Sequence, residues 1–284
     1  MRILITGASS FVGAHFARLA ALNHEVIGMH YQSRLALNGV TPFRCDLRHP
    51  ASAERLKALD ADVVVHLACK VMGPEATVLT RRMMDVVLEV GLPVLYASST
   101  MVHWDVDVDY ANARREDEAR LVASGLDHAI LRPCAPYGPR LRAHTPRHTE
   151  SFHTLAMLVS KLPVVPIPGD GQYRRQPIHV EDFCRAGLAL IEGGLKSQAL
   201  DAGGGDALSM NDLVRTLGKA LGRNPRIVHL PGFVNAFLGR FRSEIDPALL
   251  EVFDTDDVAD PTAMTAATGV VPRRFADGAC DLNR

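Results

Sequence analysis

Short apolar runs alternate with longer amphipathic segments through the first half of the chain, beginning with Ile3-Leu4-Ile5 and the turn at Thr6-Gly7. This pattern predicts strands at 3–5, 25–29, 41–45, 63–67, 93–98 and 128–131. Between them it predicts helices at about 11–22, 51–59, 77–90 and 111–124. Segment 63–67 is almost continuously apolar, the character of a parallel strand buried on both faces. Strands alternating with helices argue for βαβ units and an α/β fold around a parallel sheet.

The rhythm changes after Arg132. Segment 133–177 is rich in Pro, Gly, His and Arg, with one helix expected at about 152–161. A short strand at 178–180 and a helix at about 181–192 then read as a return to the sheet. After the Gly203-Gly204-Gly205 turn, Ser209 is placed to cap a helix over 210–221, with Gly222 closing it. Pro225, Pro231, Pro247, Pro261 and Pro272 mark a loop-rich tail. The expectation is a Rossmann-type domain and a smaller C-terminal domain whose pieces interleave with it.

Composition narrows the function classes. In 284 residues, 31 Lys and Arg face 32 Asp and Glu, so the formal net charge is -1. A polyanion binder needs clustered cations, so no nucleic-acid partner is expected. A chain of this length buries roughly 75% of its extended surface and needs no covalent staples. Cys45, Cys69, Cys134, Cys184 and Cys280 are odd in number and widely spaced, which indicates neither a disulfide framework nor a Cys-x-x-Cys metal site. They read as reduced thiols in a reducing compartment. The N-terminus reads as a strand, not a signal peptide, and no apolar stretch approaches the ~18–20 residues needed to span a bilayer. A cytoplasmic protein without a membrane partner is expected.

The chemistry begins at the first turn. Thr6-Gly7-Ala8-Ser9-Ser10-Phe11-Val12-Gly13 sets two glycines six apart between a strand and a helix. Gly7 would make the tight turn, Gly13 would let helix and strand pack closely, and the helix N-terminus would offer N–H groups to a pyrophosphate. The segment resembles the Gly-x-x-Gly-x-x-Gly turn of the extended and atypical short-chain dehydrogenase/reductases, the NAD(P)-dependent epimerase/dehydratase family of sugar-nucleotide type. Ser10 stands at the middle position, adding bulk but also a hydroxyl donor.

The resemblance implies a doubly wound parallel sheet with a smaller C-terminal substrate domain. Residues 1–140 and 176–203 would form the dinucleotide-binding domain, and 141–175 and 204–284 the substrate domain. It carries cofactor binding over to Gly7, Ser9, Ser10, Phe11, Val12 and Gly13. Asp46-Leu47 resembles the family's adenine-contacting pair, and His66-Leu67-Ala68-Cys69 its cofactor-lining strand end. NAD enzymes usually carry an acidic residue after the second strand, but the run from Val26 to Arg34 has no carboxylate. Ser33 and Arg34 are candidates for a 2′-phosphate, which favours NADP and leaves NAD open.

Leu95-Tyr96-Ala97-Ser98-Ser99-Thr100-Met101-Val102-His103 resembles the family's strand ending in Ser-Ser-x-x-Val-Tyr. This selects Ser99 as the catalytic hydroxyl, with Ser98 and Thr100 as fallbacks. Tyr110 and Arg114 stand where the family has Tyr-x-x-x-Lys, and positions i and i+4 share a helix face. The resemblance makes Tyr110 the acid/base, Ser99 the partner of the substrate oxygen, and Arg114 the cation that lowers the phenol's pKa and bonds the nicotinamide ribose. Ser98, Tyr110 and Pro133 would also line the cofactor. Arginine stays protonated and cannot join a proton relay as lysine does. An active enzyme with an altered dyad, a specialised enzyme, and a cofactor-binding sensor or subunit without chemistry all remain open.

Downstream, Leu131-Arg132-Pro133, Tyr137-Gly138-Pro139-Arg140 and Gly169 to Asp182 also resemble the family. Arg175, with Arg174 as the near alternative, would hold a nucleotide-sugar diphosphate, a group suited to paired N–H donors. Ser99 and Thr100 would contact the substrate. Asp182 reads as a helix-start or domain-joining residue. His144, His148 and His153 lie near Arg140, Arg142 and Arg147, but Pro146 breaks their register and no metal is expected. Trp104 would either wall the pocket or cap the core. The expected activity is NAD(P)-dependent oxidoreduction or epimerisation at a carbonyl or carbinol carbon, most simply of a nucleotide sugar. A small ketone, aldehyde or lipid is the alternative substrate, and a homodimer is left open.

Overall fold

A computed structural model describes residues 1–70, 75–105, 107–141, 150–231 and 255–283. The central element is a seven-stranded sheet. Its strands are β1 (Arg2–Thr6), β2 (Glu25–His30), β3 (Val40–Arg44), β4 (Val63–His66), β5 (Val94–Ala97), β6 (His128–Pro133) and β9 (Gln198–Ala202). The order is β3-β2-β1-β4-β5-β6-β9, and every pairing is parallel. The chain leaves β1 toward one edge and restarts at β4 toward the other. That reversal opens a crevice at the carboxyl ends of β1 and β4, where ligands bind in doubly wound sheets.

Strand alternation supplies two cores at once. Ile3, Ile5, Val63 and Val65 face one side with Phe16 of α1 (Phe11–Ala20), Phe183 of α6 (Val180–Glu192) and Met264 of α8 (Thr262–Thr268). Leu4 and Val64 face the other, with Leu56 of α2 (Ser52–Lys57), Met84 and Val87 of α3 (Ala76–Val90), and Leu121 of α4 (Asp109–Ala123). Burying each such side chain contributes roughly 1.5–3 kcal/mol. A third cluster gathers Tyr137, Phe152 of α5 (Ser151–Lys161), Leu213 of α7 (Met210–Ala220) and Phe275 of α9 (Phe275–Gly278). It includes Val165 and Ile167 of β7 (Val164–Pro168), which pairs in parallel with β11 (Arg226–Leu230). A small antiparallel pair joins β8 (Arg174–Arg175) to β10 (Leu208–Ser209).

The expected strand at 178–180 is not one. The segment runs beside 134–137 by three backbone hydrogen bonds and a single isolated bridge, Tyr137 to His179. His179 then turns to cap α6, its Nδ1 accepting from Glu181 N at 3.3 Å. Ser209 does cap α7, its Oγ accepting from Asp212 N at 3.1 Å. All five cysteines are free. No helix among the described residues is long and apolar enough to cross a membrane.

Asp182, 3% exposed at the start of α6, ties the segment at Arg273 to that helix. It accepts from Arg273 through the backbone N (3.0 Å), Nε (2.9 Å) and Nη2 (2.7 Å). Glu181 also faces Arg273, at 3.7 Å, so the cation keeps one carboxylate when Asp182 loses its charge. Asp182→Asn is expected to lower the unfolding free energy in urea by about 1–3 kcal/mol, the scale of weakened charge-assisted hydrogen bonds.

Candidate active-site cleft

A cleft of about 580 Å³ opens at the carboxyl ends of β1, β4, β5 and β6. Its base is the first turn. Gly7 has φ +67°, and a Cβ there would sit 2.8 Å from the Ala68 backbone nitrogen. A Cβ on Gly13 would fall well inside contact distance of the Gly7 carbonyl oxygen. Both glycines are required by close backbone approach. Ser10 caps α1, its Oγ accepting from Gly13 N at 3.0 Å. The Thr6 hydroxyl accepts from Leu67 N and Ala68 N (3.2 and 3.3 Å) and so ties the ends of β1 and β4 together.

One end of the cleft is formed by His30, Tyr31, Gln32 and Ser33 after β2, with Asp46, Leu47 and Arg48 after β3. Arg48 grips Asp46 by Nε to Oδ1 (2.8 Å) and Nη2 to Oδ2 (2.7 Å), and this pairing holds the carboxyl below its ordinary pKa. The Arg48 guanidinium also lies 4.9 Å from the Tyr31 ring centre. Arg34 is exposed and does not line the cleft.

At the other end, Ser98 and Ser99 follow β5, and Tyr110 and Arg114 project from α4 one turn apart. Leu67, Ala68, Cys69 and Pro133 complete the wall beside them. Ser99 Oγ accepts from Met101 N at 3.2 Å and starts a 3₁₀ turn over Thr100–His103. Arg114 is 4% exposed. Its Nη1 donates to Tyr96 Oη (2.8 Å) and Ala97 O (3.3 Å), while its Nε and the Ser98 hydroxyl are buried without a hydrogen-bond partner. The guanidinium lies 5.0 Å from the Tyr110 ring centre. Burial raises the Tyr110 pKa; Arg114 works against burial and does not overcome it, while Cys69 and Glu150 add to the rise. The sequence expectation was a cation that lowers this phenol's pKa; here burial is the larger effect and the net shift is upward.

Four expected site residues stand outside the lining: Gly13, Arg34, Thr100 and Arg175. Gly13 packs against the turn from inside α1. The Thr100 hydroxyl donates to Asp257 Oδ1 at 2.7 Å. Arg175 Nη1 donates to the carbonyls of Arg174 (3.1 Å) and Thr255, with its guanidinium 4.8 Å from the Tyr173 ring centre. Its neighbour Arg174 grips Asp256, Nε to Oδ2 at 2.9 Å. The arginine pair therefore secures the 255–257 segment. Trp104 borders a separate surface hollow with His103, Asn112 and Arg115.

Sequence reasoning missed Glu150, Ser151, Phe183 and Asp257, which enter the wall from distant parts of the chain with no motif to flag them. It also missed His30, Tyr31, Gln32 and Arg48, although these adjoin segments it had singled out. Glu150 is notable because burial pushes its carboxyl up to about 7. His144 and His148, with Arg142 and Arg147, lie outside the described residues. His153 is buried, its Nε2 2.9 Å from Gly138 O and its ring edge-on to Phe11. Among the described residues no group of three or more His, Cys, Asp and Glu could hold a metal ion.

Residues 3–203 match the NAD dependent epimerase/dehydratase family. The chain belongs to that family. Curated relatives include a dTDP-4-dehydro-6-deoxy-D-allose reductase of Streptomyces bikiniensis, 27% identical over 81% of this chain and 84% of the relative. A ceramide reductase of Caulobacter vibrioides is 26% identical over 81% of this chain and 73% of its own length. Among solved structures, UDP-glucose 4-epimerase of Thermotoga maritima superposes with a TM-score of 0.78 at 20% identity, covering 100% of this chain and 98% of that one. The family's dinucleotide fits the cleft on three observations. The glycine turn leaves no room for side chains at its closest approach, the first helix points its N-terminus there, and two buried polar groups await partners at the far end.

Proposed function

We propose that the protein is an NADP(H)-dependent oxidoreductase or epimerase acting on a carbonyl or carbinol carbon of a nucleotide sugar, with Tyr110 as the acid/base. The observation that carries this reading is the meeting of Ser99, Tyr110 and Arg114 in one cleft with the glycine turn. The turn from Gly7 to Gly13 and the α1 N-terminus would hold the pyrophosphate. Arg114 Nε and Ser98 Oγ, both buried and unpartnered, would take the nicotinamide-ribose hydroxyls. When bound, the nicotinamide supplies or accepts the hydride at the substrate carbon. Ser99 orients the substrate oxygen, and Tyr110 gives a proton to it or removes one. A phenol that burial keeps protonated suits the reducing direction, in which the oxygen must gain a proton. Arg114 contributes charge and donors and carries no proton.

NADP is favoured by the end of β2, where His30, Tyr31, Gln32 and Ser33 line the cleft without a carboxylate. Among the donors there, Ser33 and the Arg48 guanidinium are suited to a 2′-phosphate, in place of the exposed Arg34. NADPH is expected to bind about tenfold or more tightly than NADH, the scale of one charge-assisted hydrogen bond. Equal Kd values in calorimetry would end the NADP preference.

The reductase of Streptomyces bikiniensis supports a nucleotide-sugar substrate. Reduction of a lipid or small carbonyl compound is a second reading. It is favoured by the ceramide reductase relative and by the engagement of Arg175 away from the cleft. The test is NADPH consumption with a panel of dTDP- and UDP-4-keto sugars, long-chain keto-lipids and small ketones. Turnover confined to the sugars is expected; turnover confined to lipids or ketones would replace the substrate and keep the chemistry.

A further inference from the structure

We propose that Tyr96 and Asp117 are positioning residues that set the acidity of the Tyr110 phenol by sharing the charge of Arg114. This rests on the reading of Tyr110 and Arg114 given above. Tyr96, on β5, is fully buried, and Asp117, one turn beyond Arg114 on α4, is 1% exposed. Hydrogen bonds join the three, from Arg114 in the cleft wall to Tyr96 and Asp117, which do not line it. Arg114 Nη1 donates to Tyr96 Oη at 2.8 Å, and Tyr96 Oη donates to Asp117 Oδ2 at 3.2 Å. The guanidinium carbon lies 5.5 Å from the Tyr96 ring centre and 5.0 Å from that of Tyr110.

A buried guanidinium needs compensation, and here the carboxylate in direct line with it sits behind the cleft, one hydroxyl away. Burial raises the Asp117 carboxyl to about 6, so it is largely ionised at neutral pH. In that state it shares the Arg114 charge, so the cation offsets less of the rise that burial gives the phenol. Asp117 is also faced by Arg120, whose Nη1 is 3.7 Å away, and by Glu116. Tyr96 stacks on the neutral ring of His66, centroids 5.6 Å apart. Tyr110 itself is faced by Arg114, Cys69 and Glu150. None of these is altered by the two substitutions below.

Asp117→Asn removes the competing charge. Tyr96→Phe cuts the bridge and frees Arg114 Nη1 from the Tyr96 hydroxyl, although Asp117 stays ionised at the pH where a phenol titrates. Asp117→Asn returns the shared charge to Tyr110 and Tyr96→Phe returns the shared donor, so both lower the phenol's pKa. A purely structural role predicts the opposite, because a displaced Arg114 would leave the phenol less acidic. The experiment is an ultraviolet difference titration of phenolate in the wild type, Asp117→Asn and Tyr96→Phe. Each is repeated with Tyr110→Phe so that the Tyr110 transition is obtained by subtraction, and folding is checked by circular dichroism. The Tyr110 transition is expected to move to lower pH by about one unit in both variants. If Asp117→Asn fails to fold, Tyr96→Phe alone decides. A transition that stays in place or moves up overturns the proposal. Full turnover by Tyr110→Phe would instead end the acid/base reading, and the titration would be unaffected by it.

Discussion

Tyr110→Phe is expected to lower turnover by about 10²–10⁴-fold while leaving nucleotide affinity essentially unchanged. The substitution deletes one hydroxyl and keeps the ring against which the Arg114 guanidinium lies at 5.0 Å. The ribose-facing groups, Arg114 Nε and Ser98 Oγ, stay where they are. Binding and chemistry should therefore separate in this variant. Its residual rate should also lose the pH dependence that the phenol imposes. A variant that turns over at the wild-type rate would leave the cleft a nucleotide site with its acid elsewhere. Glu150 would then be the first candidate, since it shares the cleft and burial brings its carboxyl to about 7.

Gly13→Ala is expected to abolish nucleotide binding and to destabilise the fold by about 1–3 kcal/mol. The added Cβ meets the backbone of Gly7 and Ala8, which cannot swing aside as a flexible side chain would. Relief requires α1 to move away from β1, and Ser10 would lose its cap to Gly13 N. That movement displaces the N–H groups that would face a pyrophosphate and loosens Phe16 from the core it shares with Ile3 and Ile5. Thermal unfolding with and without NADPH measures both effects. The variant should melt lower than the wild type and gain nothing from the nucleotide.

The strands that carry the cleft were legible because each is buried on both faces and so appears as an unbroken apolar run. Val63–His66 is the clearest case, with all four residues buried. β9 was missed because Gln198–Ala202 is an edge strand with exposed and half-buried positions, and Gln198 and Asp201 interrupt its apolar pattern. β7 was missed because prolines at 166 and 168 argue against a strand, and it is tolerated as one of only two strands in its sheet. α8 contains small residues and buries only Met264, so it carries no periodic signal. Within the cleft, Ser98, Ser99, Tyr110 and Arg114 were accessible through short segments that resemble the family's motifs, and the glycine turn through its place between a strand and a helix. The roles of Arg48 and Asp257 were not, because they depend on partners that only the fold supplies. Arg175 illustrates the same point in reverse. Its sequence context suggested an anion, and in the fold its Nη1 donates to the Arg174 and Thr255 carbonyls. The line from Arg114 through Tyr96 to Asp117 spans 22 positions and becomes visible only when β5 and α4 pack together.

The most direct test of the account is calorimetric titration of NADPH, NADP+, NADH and NAD+ into the purified protein, with any nucleotide that co-purifies identified first. The account predicts saturable one-site binding, tightest for NADPH and lost in Gly13→Ala. Failure of all four nucleotides to bind nucleotide-free protein would contradict it, and with it every role assigned to Ser99, Tyr110 and Arg114.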